Sequence, residues 1–386
     1  MKKVSYLFVA GAGFSSNAGL PLAPEFTAAL LDVHRLKEDG PSSRMAEFLR
    51  EFVRITFGSN GGSDDWPPLE DIFTLVDLSA NTGHHLGQEY SAADLRTVRR
   101  ALIVRLMRML QQRYRQGERR QDDNWRAVET LLKRLDIDST AILSLNWDCV
   151  VERGLARTRD VEEFDYGCDA HHAEFNRDKI VLCEPQTTRN FQLLKPHGSI
   201  NWLYCDACRQ LLWLAPEKTE KIAQTLFRDR DWDAVGLEGG PAPKTIDPDC
   251  PFCGARALGT RLATFSYRKA LDFPMHASTW RQAEALLREA ETWIFFGYSM
   301  PGADFEFKHL LKRVELSRRT PPRVILVAGG EAAGQTETTY RNFFGAGRKG
   351  SRTYFREGLT DEVINHLSEI GALRPQPSRP PRRGRD

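Results

Sequence analysis

Several groups of residues in this chain have types and spacings that could do chemistry. Gly11-Ala12-Gly13-Phe14-Ser15 follows an apolar run directly, and such a turn can seat a phosphate on its backbone amides. In SLNWD, an amide and a carboxylate, Asn146 and Asp148, stand two residues apart at the end of another apolar run. An Asn or Asp in that position also serves as a turn residue or a helix cap. His197 in KPHGS is a candidate base, with an intrinsic pKa of about 6.5, although a lone histidine is more often structural. FGYSMP offers the close backbone approach of Gly297 and the hydroxyl of Ser299, suited to a ribose or phosphate. Cys205-x-x-Cys208 and Cys250-x-x-Cys253 form a two-knuckle set whose thiolates can close a tetrahedral zinc site. Asp206, Pro251 and Gly254 suit the tight turns this requires. Four thiolates leave no open coordination position, so that site reads as structural. The 41 residues between the pairs, 209–249, exceed the usual ribbon spacing of about 15–20. Cys149, Cys168 and Cys183 lack such spacing and read as core or incidental.

These groups need elements to position them. Val4–Ala10 is a continuous apolar run, as expected of a strand buried on both faces, and Pro24–Val33 follows with helical spacing. Helical patterns dominate from about Ser43 to Leu135, broken by a Gly/Ser/Asp/Pro stretch at Ser59–Pro68. Further strands are expected at Ala141–Leu145, Phe191–Lys195, Trp293–Phe296 and Val324–Val327, with helices at Thr279–Ala290 and Asp304–Arg313. Strands alternating with helices predict an α/β fold with a mostly parallel sheet covered on both faces, whose ligands sit at the carboxyl ends of the strands. All the non-cysteine candidates fall at such ends. The turn at residue 11 is not the usual dinucleotide fingerprint, because Ser16 stands where the third glycine belongs; nor is it a P-loop, because no Gly-Lys-Ser/Thr follows.

Composition narrows the function classes. The 386 residues carry 54 Lys+Arg against 52 Asp+Glu, so net charge gives no case for a nucleic acid or an anionic membrane as partner. There is no signal-peptide pattern and no window of about 18 apolar residues, which leads to the expectation of a cytoplasmic protein with no membrane contact. An odd number of cysteines, seven, argues against a disulfide scaffold. From Arg374 the sequence RPQPSRPPRRGRD holds five Arg and four Pro in thirteen residues and is expected to be a disordered, solvated tail, 374–386.

GAGFSSNAGLP, SLNWD, KPHGS and FGYSMP, with the CxxC pairs after KPHGS, resemble in order and spacing the marks of the sirtuin family across roughly residues 4–330. The likeness is to a divergent prokaryotic branch. It implies a Rossmann-like NAD-binding domain, 4–200 and 259–373, with a helical insertion at about 36–135 and a zinc-ribbon insertion at 201–258. By resemblance, Gly11, Ala12, Gly13 and Ser15 would cradle the pyrophosphate of NAD, and Gly297 and Ser299 would lie on the adenosine side. Asn146 would position a water or ribose, Asp148 would hold the nicotinamide carboxamide, and His197 would act as base on a ribose hydroxyl.

The chain departs from the family pattern in two places. Sirtuin deacylases follow the turn with Asp-Phe-Arg, where this chain has Leu22-Ala23-Pro24-Glu25-Phe26, without that acid or arginine. VILVAGGE, 324–331, lacks the asparagine expected to meet the adenosine ribose. Chains of this kind resemble defence-associated sirtuins that hydrolyse NAD to nicotinamide and ADP-ribose and deplete an infected cell. The resemblance further implies control by homo-oligomerisation or by a partner such as a DNA-translocating ATPase. NAD-dependent protein deacylation and non-catalytic sensing of NAD or ADP-ribose are the alternatives; the presence of Asn146 and His197 argues against the last.

Overall fold

The computed structural model describes residues 3–31, 40–59, 66–159, 161, 163–184, 190–236, 243–264, 266, 274–345, 347 and 350–375. The basic tail beyond residue 375 lies outside them. Twelve strands occur among the described residues: β1 Tyr6–Ala10, β2 Thr140–Ser144, β3 Glu163–Asp165, β4 Ala170–Asn176, β5 Lys179–Leu182, β6 Asn190–Leu194, β7 Trp202–Cys205, β8 Leu211–Trp213, β9 Leu258–Gly259, β10 Thr292–Phe296, β11 Arg323–Val327 and β12 Arg352–Phe355. Seven form one parallel sheet, ordered β12-β11-β10-β1-β2-β6-β3. The chain winds outward from β1 on one side through β2, then returns to its other side at β10. The crevice between β1 and β10 is therefore the switch point where α/β sheets bind ligands.

Continuous apolar runs become strands here because both faces of the sheet are covered. Along β1, Phe8 and Ala10 enter one core while Leu7 and Val9 enter another. β10 divides the same way, with Ile294 and Phe296 on the first side and Trp293 and Phe295 on the second. The first core holds the helices Gly40–Phe57, Leu69–Thr82, Ala92–Arg120 and Asp123–Arg134, all of which lie between β1 and β2 in the chain. The second lies under Pro274–Glu289, Phe305–Ser317 and Ala333–Phe344. Each alternating side chain finds apolar neighbours, and burial of this kind yields roughly 25 cal/mol per Å².

β3 and β12 were not expected from the sequence. They are the edges of the sheet, short and only partly buried, so their residues carry no strong apolar signal. A second sheet, β5-β4-β8-β7-β9, contains the first cysteine knuckle at the end of β7. It also takes in β4 and β5, which precede β6 of the large sheet in the chain. The long gap between the cysteine pairs is filled by β8 and by the helices Thr219–Leu226 and Asp229–Val235. These dock on the long helix Ala92–Arg120 through Arg108–Glu220 at 2.8 Å and through the Arg100–Asp231 ion pair. No described helix is long and apolar enough to cross a membrane.

Candidate active site

β1, β2 and β10 end level: Ala10 stands opposite both Ser144 and Phe296. The turns that follow are thus held side by side. Gly297 adopts φ of 55°, and a Cβ on it would fall 2.3 Å from Cα of Gly13. A Cβ on Gly11 would fall 2.6 Å from Cα of Tyr298, and one on Gly13 would fall 2.7 Å from Cα of Gly297. The three glycines are therefore demanded first by backbone meeting backbone across the β1/β10 seam. The Gly11 amide donates to Phe296 O, that of Gly13 to Gly297 O and that of Phe14 to Gly11 O, each at 2.9 Å. Three of the five amides in Gly11–Ser15 are thus already engaged within the protein, and the expectation of a five-amide phosphate cradle narrows to its remaining donors.

A crevice enclosing about 170 Å³ opens at these strand ends. Gly11, Ala12, Ser15, Asn146, Asp148, His197, Gly297 and Ser299 all line it. Gly13 sits behind it, against Gly297. The crevice therefore brings together eight of the nine candidates outside the cysteine set.

The Asn146 side-chain amide donates to Gly11 O at 2.8 Å and to Ser15 Oγ at 2.9 Å. A carbonyl oxygen only accepts, so Nδ2 faces the turn and the amide oxygen is the group left to orient a water or hydroxyl. Asp148, 9% exposed, accepts the Val150 amide on Oδ1 at 3.0 Å and so starts the helix Val150–Arg159. His197 is 5% exposed, and its Nδ1 lies 3.1 Å from Leu145 O. The acceptor-only carbonyl places the proton on Nδ1 and makes Nε2 the basic nitrogen.

Behind these residues lies a buried hub that the sequence did not single out. Lys195 is 0% exposed, and its Nζ donates to Glu152 Oε1 at 2.9 Å, to Ser199 Oγ at 2.6 Å and to Asp148 O. One ammonium thus ties SLNWD to KPHGS from beneath. Burial acts on the pair in opposite senses: it raises the Glu152 carboxyl and would lower Lys195. Burial is the largest single influence on the lysine, but the charges of Glu152, Cys149 and Asp148 and the hydrogen bond to Glu152 together exceed it and hold the lysine above its ordinary value. Three oxygens converging on Nζ support the ammonium form. Cys149, fully buried beside this hub, has its thiol pushed up to about 12 by burial, consistent with a core role.

Sequence reasoning missed other lining residues. Glu70, Thr264, Tyr298 and Asp304 face the same crevice. Asp304 lies just past FGYSMP and was within reach of motif reading; Glu70 comes from the first turn of an ordinary-looking helix and was not. Burial, followed by the neighbouring Asp304 charge, raises the Tyr298 phenol well above its usual range. The described lining contains three carboxylates, Glu70, Asp148 and Asp304, and no lysine or arginine.

The four cysteines also converge. Their sulfurs lie within 4.8 Å of one another, with Cys205–Cys253 and Cys208–Cys250 each 3.7 Å apart. Zn–S bonds of about 2.3 Å give tetrahedral edges of about 3.8 Å, so the spacing fits a metal rather than disulfides. The two knuckles repeat one backbone pattern. The Cys205 amide donates to Gln210 O and the Cys250 amide to Ala255 O, both at 3.0 Å; the Arg209 amide returns to Cys205 O and that of Gly254 to Cys250 O, both at 2.8 Å. Arg209 and Gly254 take φ of 63° and 73°.

Fold and site together define an α/β protein with a ligand crevice at the switch point of a parallel sheet and an inserted four-cysteine module. Among solved structures the chain is similar to Sir2 in complex with the inhibitor EX-527, 2′-O-acetyl-ADP-ribose and deacetylated p53 peptide, at 11% identity and a TM-score of 0.31, over 95% of this chain and 94% of that one. It is likewise similar to a structure described as the structural basis of sirtuin substrate affinity, at 12% identity and a TM-score of 0.32, over 96% and 95% of the two chains. No protein-family model matches the chain, and no curated protein matches it.

Proposed function

We propose that this chain is a sirtuin-like NAD hydrolase that cleaves the nicotinamide–ribose bond to give nicotinamide and ADP-ribose, and that it acts as an NAD-depleting effector in prokaryotic anti-phage defence. The observation that carries the reaction is the meeting of Asn146, Asp148 and His197 in one crevice whose described lining holds three carboxylates and no lysine or arginine. NAD presents a cationic ring there, and bond cleavage passes positive charge to the ribose, so a negative crevice stabilises the reacting half throughout. Oδ2 of Asp148 is the oxygen that would accept from the nicotinamide carboxamide, since Oδ1 serves the Val150 amide. The Asn146 carbonyl would aim the water at the anomeric carbon. As the carbon–nitrogen bond breaks and the carbon–oxygen bond forms, His197 would take up the released proton by way of a ribose hydroxyl.

The Ala12 and Ser15 segment and Ser299 would meet the rest of the dinucleotide. Cys205, Cys208, Cys250 and Cys253 would hold a structural zinc, which would fix the fold of the small sheet. Control by self-association or by a partner such as a DNA-translocating ATPase belongs to the same reading.

Purified protein incubated with NAD, with and without an acetylated peptide, tests it by chromatography and mass detection. Nicotinamide and ADP-ribose formed without peptide support hydrolysis. Nicotinamide formed only with peptide, alongside O-acetyl-ADP-ribose, would replace it with deacylation. NAD binding without any product would replace it with sensing.

A further inference from the structure

A second cavity, of about 640 Å³, is lined in part by the helix Val150–Arg159, which contributes no residue to the described lining of the crevice. The long helix Ala92–Arg120 presents Tyr114 and Arg115 to it, the helix Val150–Arg159 presents Glu152 and Arg153, and the small sheet and its approach supply His172 and Trp213.

Two features of this lining call for a ligand. Arg153 is only 9% exposed, yet its guanidinium is bonded to neutral acceptors, Pro216 O at 2.8 Å and Gln111 Oε1, and it lies 4.4 Å over the Tyr114 ring. The carboxylate paired with it, Glu217, is 3.9 Å away and 65% exposed, and the cavity's other carboxylates are engaged elsewhere, Glu118 by Arg157, Glu152 by Lys195 and Glu163 by His172. A buried guanidinium without a close anion is costly, and an anion in the cavity would relieve it. Arg115, exposed at the rim, makes no ion pair among the described residues, whereas Arg157 on the same cavity is already held by Glu118 at 3.0 Å and Glu129 at 2.6 Å. The second feature is a flat aromatic platform. The His172 ring lies 3.8 Å from Trp213 at 9° between planes, and its Nδ1 is fixed 3.0 Å from Glu163 Oε1. A planar base laid on such a platform gains stacking energy of roughly 1–3 kcal/mol.

We propose that this cavity is a second binding site, for a nucleotide whose phosphate sits between Arg115 and Arg153 and whose base stacks on the His172–Trp213 platform. Guanidinium forks suit phosphate oxygens, and the volume falls in the range of sites for molecules of this size. The site stands independently of the reaction proposed for the crevice.

Calorimetric titration of the full chain with each of the four ribonucleoside 5′-monophosphates tests it. At least one is expected to bind once per chain, and the matching nucleoside, lacking phosphate, at least tenfold more weakly. Arg115→Glu, at an exposed position where folding is not at risk, should weaken binding at least tenfold, as should His172→Ala, while Asn146→Ala in the crevice should leave it unchanged. Four results would each overturn the proposal: no monophosphate binds; inorganic phosphate binds as well as the nucleotide; Arg115→Glu has no effect; or Asn146→Ala abolishes binding while Arg115→Glu does not, which would place the nucleotide in the crevice.

Discussion

The crevice, lined by Asp148, and the second cavity, lined by the helix Val150–Arg159 that follows it, are built from different material. The crevice is walled by the ends of strands, where backbone meets backbone and glycines are compulsory; its described lining carries three carboxylates and no lysine or arginine. The second cavity is walled by helix faces and ring planes, and three guanidinium groups line it together with four carboxylates. Asp148 accepts the Val150 amide and faces the crevice, and four residues further on Glu152 and Arg153 face the cavity. The contrast teaches that a strand-end site fixes its geometry by the hydrogen-bonded register of its strands, whereas a helix-face site fixes it through side-chain packing.

That contrast can be broken or sharpened by perturbation. The largest effect is expected at the cysteine module, on which the small-sheet wall of the second cavity depends. A structural zinc contributes binding free energy on the order of 10 kcal/mol to the folding of its module. Elemental analysis should find one zinc per chain, and Cys250→Ser should lose both the metal and the soluble protein. A metal-free chain with an unchanged melting curve would contradict this.

Next comes the seam of the crevice. Gly297→Val forces a side chain into the Gly13 backbone and breaks a positive-φ turn, so destabilisation beyond about 4 kcal/mol is expected in urea unfolding. A small shift would mean that the strands do not meet as described.

The hub follows. Lys195→Met leaves Glu152 buried without its partner and should cost about 3–5 kcal/mol, while the double change Lys195→Met with Glu152→Leu should recover part of that loss. The sign of the pH effect follows from the raised lysine. Its stabilisation is fully present below the ordinary lysine value of 10.5 and is lost as pH rises through the higher folded value. The alkaline fall in stability should therefore be shallower in Lys195→Met than in the parent when both are followed by thermal melts. The smallest effect is expected at Arg115, where Arg115→Ala should change stability by no more than about 0.5 kcal/mol, because the exposed side chain has no ion pair to lose.

Legibility in the sequence follows the same division. Gly11–Ser15, SLNWD, KPHGS and FGYSMP could be read because each is a contiguous segment at the end of an apolar run, and the parallel order of those runs brings them together. The reason for the glycines was not legible: that Gly13 and Gly297 touch is a fact of register between strands distant in the chain. The edge strands β3 and β12 stayed hidden because partial burial leaves no apolar signature. Lys195 lay in plain sight inside KPHGS, but a lysine normally points to water, and only packing shows that this one is buried. Gln111, Tyr114, Arg115 and Glu118 recur at helical spacing within a segment that the sequence marks only as helical, so the second cavity left no motif to find.

The central claim is that the crevice performs NAD cleavage through Asn146 and His197. Its most direct test is the rate of NAD consumption by the parent chain, Asn146→Ala and His197→Ala, with folding and metal content matched. The expected result is cleavage by the parent and a loss of at least about 100-fold in each variant, the scale of a removed acid–base or orienting group. Unchanged cleavage in both variants would contradict the assignment.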